Sequence, residues 1–144
     1  MQKLTRLLVG SAVLATVALS APETALATPT EGFRKPVVGT VTPGGKFTLV
    51  KDIYHLENPG NGPVLFDLQK GVDGQLCIEM REARSGLLLS RVCHNAGETG
   101  AKTLADRVPT GVRDVVLYAQ EPLDANNRND NQPRPYKGSL IIHE

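Results

Sequence analysis

From Cys77 to Cys93 the chain reads CIEMREARSGLLLSRVC, and these two cysteines are its only ones. Two readings of this stretch lead to different folds. Its first half is made of good helix formers, and a helix from about Gln75 to Arg84, stopped at Gly86, satisfies local propensity. A hairpin accounts for more of the residues together. If Arg84-Ser85-Gly86 is a three-residue loop whose glycine takes the left-handed conformation, Ala83 falls opposite Leu87 and Arg81 opposite Leu89. Glu79 then meets Arg91, and Cys77 meets Cys93. In this register the sulfurs face each other with a charge pair one step away. Ile78, Met80, Leu88 and Val92 share the opposite face and point toward a core. A slip of one residue breaks the cysteine pairing.

The spacing also narrows what the cysteines do. No Cys-x-x-Cys pair suggests thiol exchange, and two cysteines with the neighbouring His94 make too few ligands for a structural metal site. A disulfide between Cys77 and Cys93 is expected, contributing about 2–4 kcal/mol by restricting the unfolded chain.

The segments on either side continue the β pattern. VLFDLQ alternates, with Val64, Phe66 and Leu68 on one side, and NPGNGP and KGVDG bracket it. Downstream, TLADRV, VRDVVLYAQ and YKGSLIIHE are short β-rich runs separated by Gly, Pro and Asn. Upstream, VVGTV and FTLVKDIYHL flank Pro43-Gly44-Gly45 and read as a hairpin. With about eight short runs and no competing amphipathic helix, the expected fold is an all-β antiparallel sandwich with one disulfide.

The first 27 residues read differently. Lys3 and Arg6 precede an apolar stretch from Leu7 to Leu19, and Ala25-Leu26-Ala27 supplies small residues for cleavage, so 1–27 is expected to be a secretory signal peptide. The exported chain is then expected to divide into an extended N-terminal tail at 28–36 and a β-sandwich at 37–144. Export to an oxidising extracellular medium agrees with the disulfide. The full chain has 16 basic and 15 acidic residues, and removing Lys3, Arg6 and Glu23 leaves 14 of each. A neutral chain with scattered charges gives no footprint for nucleic acid or, after cleavage, for a membrane.

Chemistry-bearing constellations are sparse. His55, His94 and His143 lie far apart without ligand spacing, no hydrolase signature appears, and no residue set asks for a metal or cofactor. The expectation is a protein without catalysis. Asp124, Asn126, Asn129, Asp130 and Asn131 offer oxygen ligands in a long loop that lacks the glycine and terminal glutamate of an EF-hand, so it reads as a solvated loop. Phe33-Arg34-Lys35, followed by Pro36, places an aromatic and two cations on a proline-bracketed tail. Such a segment can enter a partner's groove or add to its sheet edge. Phe33 is the expected anchor, with Arg34 and Lys35 making charge contacts. On a free tail, Phe33→Ala weakens partner capture and leaves stability unchanged.

From VLFDLQ to YKGSLIIHE, closing on PTGVRDVVLYAQ and GSLII, the chain resembles the small extracellular β-sandwich modules found beside secreted bacterial hydrolases. That resemblance implies binding of carbohydrate or protein. In its size, leader, free-standing β-domain and extended TPTEGFRKP segment, the whole chain resembles the small secreted adaptor subunit of actinobacterial umbrella toxin particles. This second resemblance implies a non-enzymatic linker. Its tail would insert into a lectin-bearing subunit with a degenerate trypsin-like domain, and its β-domain would dock on the repeat-built stalk of the large toxin subunit. The likeness is one of layout, so no individual contact carries over. The expected function is a secreted protein-binding adaptor. The alternatives are a protease inhibitor presenting Arg34 or Lys35, and a carbohydrate-binding module, which the absence of Trp disfavours.

Overall fold

The computed structural model describes residues 31–57, 62–123 and 131–143. The expected signal peptide, residues 28–30 of the expected tail and the loop residues Asp124, Asn126, Asn129 and Asp130 lie outside the described residues. Eight strands are present: β1 (Glu31–Val41), β2 (Thr48–His55), β3 (Val64–Lys70), β4 (Leu76–Glu82), β5 (Leu88–His94), β6 (Gly100–Ala105), β7 (Asp114–Gln120) and β8 (Arg134–His143). They form two antiparallel sheets with strand orders β1-β8-β3-β6 and β2-β7-β4-β5. The fold is an all-β sandwich, as the alternating runs and turn residues imply.

Inward side chains of both sheets fill the core. Phe66, Leu68, Leu140 and Ile142 from one sheet meet Ile78, Met80, Val115 and Leu117 from the other. Alternation is clearest in β3, where Val64, Phe66 and Leu68 are buried and their neighbours are not. By contrast β4 is buried from Leu76 through Met80, on both faces.

The cysteine segment is the β4–β5 hairpin. Cys77 pairs with Cys93 in a disulfide, Ile78 with Val92, and Glu79 with Arg91. Gly86 has a φ of 71°, the left-handed region that its turn position requires. The helix alternative is excluded. Beyond Met80, which pairs with Ser90, the expected register slips, because Arg81 pairs with Leu88 and not with Leu89. Leu89 is an extra residue at a β-bulge. It packs against the core while Leu88 stands exposed, which reverses the inward placement expected for Leu88.

Two further expectations are corrected. The expected hairpin between VVGTV and FTLVKDIYHL does not form, because β1 pairs with β8 and β2 with β7. The Pro43-Gly44-Gly45 turn is real, but it carries the chain from one sheet to the other. Gly44 N–H donates to the Glu121 carbonyl (2.8 Å) and Gly45 N–H to that of Thr42 (2.9 Å), so the turn is fastened to the end of β7. The boundary drawn at residue 36 also differs from the structure. β1 begins at Glu31 and runs in register with β8, pairing Arg34 with Ile141, Lys35 with Leu140 and Pro36 with Ser139. The alternation of Phe33, Val37 and Val41 explains this. Val37 and Val41 are buried and Phe33 packs at the core margin, so the tail residues have an apolar face to bury.

Candidate functional site

The sandwich has two long seams where edge strands of different sheets run side by side. At the β1/β2 seam lies a groove of about 720 Å³ lined by Phe33, Lys35 and Pro36 on one wall and by Asp52, Ile53, Tyr54 and His55 of β2, with Glu57 just beyond it, on the other. A second hollow of about 440 Å³ continues along the same strands past Val38, Gly39 and Thr40 on one wall and Thr48 to Asp52 on the other.

Local sequence explains how this seam is shaped. Gly39 sits opposite Tyr136, whose ring lies so close that a Cβ on Gly39 would fall 2.5 Å from the phenol oxygen. Only a residue without a side chain lets the edge strand settle on that ring. Across the seam, β2 pairs Leu49 with Tyr118 and Ile53 with Val116, four residues against two. The resulting bulge takes Lys51 and Asp52 out of regular pairing and carries Asp52 to the groove. Val38 and Ile53 are each 66 % exposed and Leu49 is 50 % exposed, which gives the seam an apolar border.

Inside, Tyr54 is nearly fully buried and its hydroxyl has no hydrogen-bond partner among the described residues. Burial, then the Asp52 carboxylate and Tyr136, push its pKa up to about 12, so it is a neutral phenol. Burial likewise pushes Tyr136 up to about 12. Lys35 Nζ stands 5.5 Å from the centroid of the Phe33 ring. At the far end His55 Nδ1 lies 2.8 Å from Asp114 Oδ1, an exposed pair that orients the imidazole only weakly. The groove therefore offers the Asp52 carboxylate, the Lys35 ammonium and an aliphatic rim, with the Tyr54 phenol buried beneath them. No group of three or more metal-ligating side chains occurs among the described residues.

Phe33 and Lys35 thus both reach the groove. Arg34 points elsewhere, its Nη1 2.9 Å from Asp67 Oδ2. The β2 contributors Asp52, Ile53 and Tyr54 were not singled out in the sequence. Their signal is KDIYHLE, where the apolar-polar alternation of a strand breaks at a Lys-Asp pair.

A second polar constellation lies on the outer face of the other sheet. Glu79 is 1 % exposed and held between two arginines, with Arg81 Nε (3.0 Å) on one carboxylate oxygen and Arg91 Nε (3.0 Å) on the other. Each guanidinium adds an Nη2 bond to the same oxygen and lies over a ring, Arg81 4.4 Å from Tyr118 and Arg91 4.9 Å from Phe47. Burial pushes the Glu79 carboxyl up, but the hydrogen bonds and charges of Arg91 and Arg81 outweigh it and hold the group below the usual carboxylate range. The disulfide and this ladder share β4 and β5, so the predicted Glu79–Arg91 pair is present with Arg81 as an additional partner. It braces the hairpin.

No family model matches the sequence, and no curated protein matches it either. Among solved structures the chain is similar to one titled "Crystal structure of PirA", at 15 % identity and a TM-score of 0.38, covering 75 % of this chain and 91 % of that one. A likeness this loose carries no argument about function.

Proposed function

We propose that the protein is an exported, non-enzymatic protein-binding adaptor. Its scaffold is the disulfide-bonded sandwich and its partner site is the β1/β2 groove. One observation carries this reading: Phe33 and Lys35 meet Asp52, Ile53 and Tyr54 along a seam with an apolar rim. An open groove bordered by exposed apolar side chains is a feature of interaction surfaces. The direction of insertion expected from the sequence is reversed in this proposal. Residues 31–36 are committed to the ladder with β8, so the partner's segment comes to β1 rather than the tail to the partner. The assembly we propose is a secreted antibacterial toxin complex, on the resemblance of layout alone.

The alternatives gain less support. A protease inhibitor must present its reactive bond as unpaired extended backbone, whereas Arg34 and Lys35 are paired with Ile141 and Leu140. A sugar-binding face needs open rings, whereas Tyr118 and Phe47 are each capped by a guanidinium. The test is isolation of the native protein from culture fluid under mild conditions, followed by size-exclusion chromatography and mass spectrometry of what co-elutes. A stable larger complex is the expected result. A lone monomer would remove the adaptor reading and leave the sandwich.

A further inference from the structure

Between the two seams, the outer face of the sheet β2-β7-β4-β5 carries an ion cluster whose two signs are not equally open to solvent. Glu79 is 1 % exposed, while the side chains of Arg81 and Arg91 that cover it are 30 % and 50 % exposed. A molecule approaching this face meets guanidinium groups and not the carboxylate beneath them. Each arginine commits its Nε and Nη2 to Glu79, and its Nη1 group has no hydrogen-bond partner among the described residues. The other carboxylates near the face are engaged or turned aside. Asp114 holds His55, Glu82 accepts from the Ser85 hydroxyl, and Asp52 lines the groove. Lys51, exposed on β2, has the same sign as the arginines.

The guanidiniums are also held in place. β2 and β5 are opposite edges of this sheet, yet Phe47, one residue ahead of β2, has its ring 4.9 Å from the Arg91 guanidinium. Tyr118 of β7 lies 4.4 Å from that of Arg81. Donors fixed by a carboxylate and by a ring lose little freedom when a ligand binds. Apolar side chains stand on both sides of Arg81, which pairs with Leu88 on β5, 48 % exposed, and with Val116 on β7. Arginine and aromatic side chains with apolar neighbours are the composition enriched where protein interfaces are most buried. Two guanidiniums over one carboxylate leave a single net positive charge, which complements one carboxylate and gives no footing to a phosphate backbone. We infer that this face is a second docking surface, which takes one aspartate or glutamate side chain of a protein partner on the Nη1 groups of Arg81 and Arg91, with apolar partner side chains against Leu88 and Val116. The inference goes beyond the groove and rests on the adaptor reading only in that the occupant is a protein.

The test uses two nine-residue peptides of alternating threonine and valine with blocked ends, one with a central glutamate and one with a central glutamine. Each is titrated into the ¹⁵N-labelled protein and followed by NMR. The glutamate peptide should bind about fivefold more tightly or better, and the Nε–H signals of Arg81 and Arg91 and the amide of Leu88 should shift. Arg91→Gln should erase the preference. Leu88→Ser, at an exposed position, should weaken both peptides several-fold while the melting temperature holds, so the surface is tested even where loss of Arg91 loosens the hairpin. Equal binding of the two peptides, no binding at millimolar peptide, or a preference that survives Arg91→Gln would each overturn the inference. So would shifts confined to Phe33, Asp52 and Ile53, which would put the peptide in the groove, or a stronger response to a single-stranded oligonucleotide than to the glutamate peptide. A dimer in sedimentation that Arg91→Gln dissociates would overturn it as well, because the face would then be covered by a second copy. The two readings fail separately. A complex in culture fluid without peptide selectivity leaves the adaptor and removes this surface, and selectivity without a complex does the reverse.

Discussion

Between β5 and β6 the two sheets are sewn together by side chains that reach backbone carbonyls, whereas between β1 and β2 the same kind of gap is left as a groove. On the sewn side the Ser90 hydroxyl bonds the Leu104 carbonyl, Lys102 Nζ donates to that of Cys93 (3.0 Å), and His94 Nε2 donates to that of Gly100 (3.0 Å). Glu98 holds both Lys102 Nζ (2.7 Å) and the Asn95 N–H (2.8 Å), fixing the short connection between the strands. On the other side Val38, Leu49 and Ile53 stand exposed. An edge whose acceptors are satisfied internally has nothing to offer a partner. The difference teaches where stability is concentrated and where binding can occur, and it can be broken one side at a time.

The largest effect should come from the disulfide, which fastens the edge strand β5 to β4 on the sewn side. Cys77→Ser combined with Cys93→Ser opens a loop with a sequence separation of 16, which should cost about 3 kcal/mol in urea unfolding. A loss below about 1 kcal/mol would mean that the Glu79 ladder and the carbonyl bonds hold β5 without the covalent link.

His94 tests the same side through pH. It is fully buried, edge-on to Phe66, and burial and the nearby Lys102 charge lower its pKa against the opposing pull of the Gly100 carbonyl, Glu98 and Asp67. The unfolded chain therefore takes up a proton near pH ~6.5 that the folded chain resists. Stability should be level above that pH and fall as the pH drops below it. His94→Gln should cost about 2 kcal/mol at neutral pH and flatten this slope. A slope unchanged in His94→Gln would place the acid sensitivity elsewhere. Glu98 and Glu79, both held below the usual carboxylate range, act in a separate window below pH ~4.5, where their ionised forms are lost.

The sewn side was the more legible of the two in the sequence. Cys77–Cys93, Glu79–Arg91 and the left-handed Gly86 all follow from one local register, because a hairpin is fixed by its turn and its facing pairs. Leu88 escaped because a bulge depends on what packs against both faces of β5, which is not a local property. The groove was legible on one wall only. Phe33 and Lys35 stand out as an aromatic and a cation between prolines, but Asp52 and Tyr54 reach them through a pairing of β2 with β7, and that crossover is invisible to a reading that takes Pro43-Gly44-Gly45 as a hairpin turn.

On the open side, Phe33→Ala separates a sheet residue from a free tail. The ring is half buried against the core, so its removal should lower stability by about 1 kcal/mol as well as weakening partner binding. No change in unfolding free energy would return the segment to the status of a loose tail.

The smallest effect should come from Ile53→Thr. The side chain is 66 % exposed and pairs across the ladder only with Val116 on the outer face, so little apolar area returns to water when it is shortened. A surface change of this kind should stay within about 0.5 kcal/mol, and threonine keeps the β-branching that a strand favours. The same substitution removes part of the groove's apolar rim, so it should weaken capture of the partner while the melting curve barely moves. Binding lost without stability lost is the signature of a residue kept exposed for a partner. If Ile53→Thr lowered stability as much as Phe33→Ala, the rim would belong to the core, and the two seams would differ in shape but not in role.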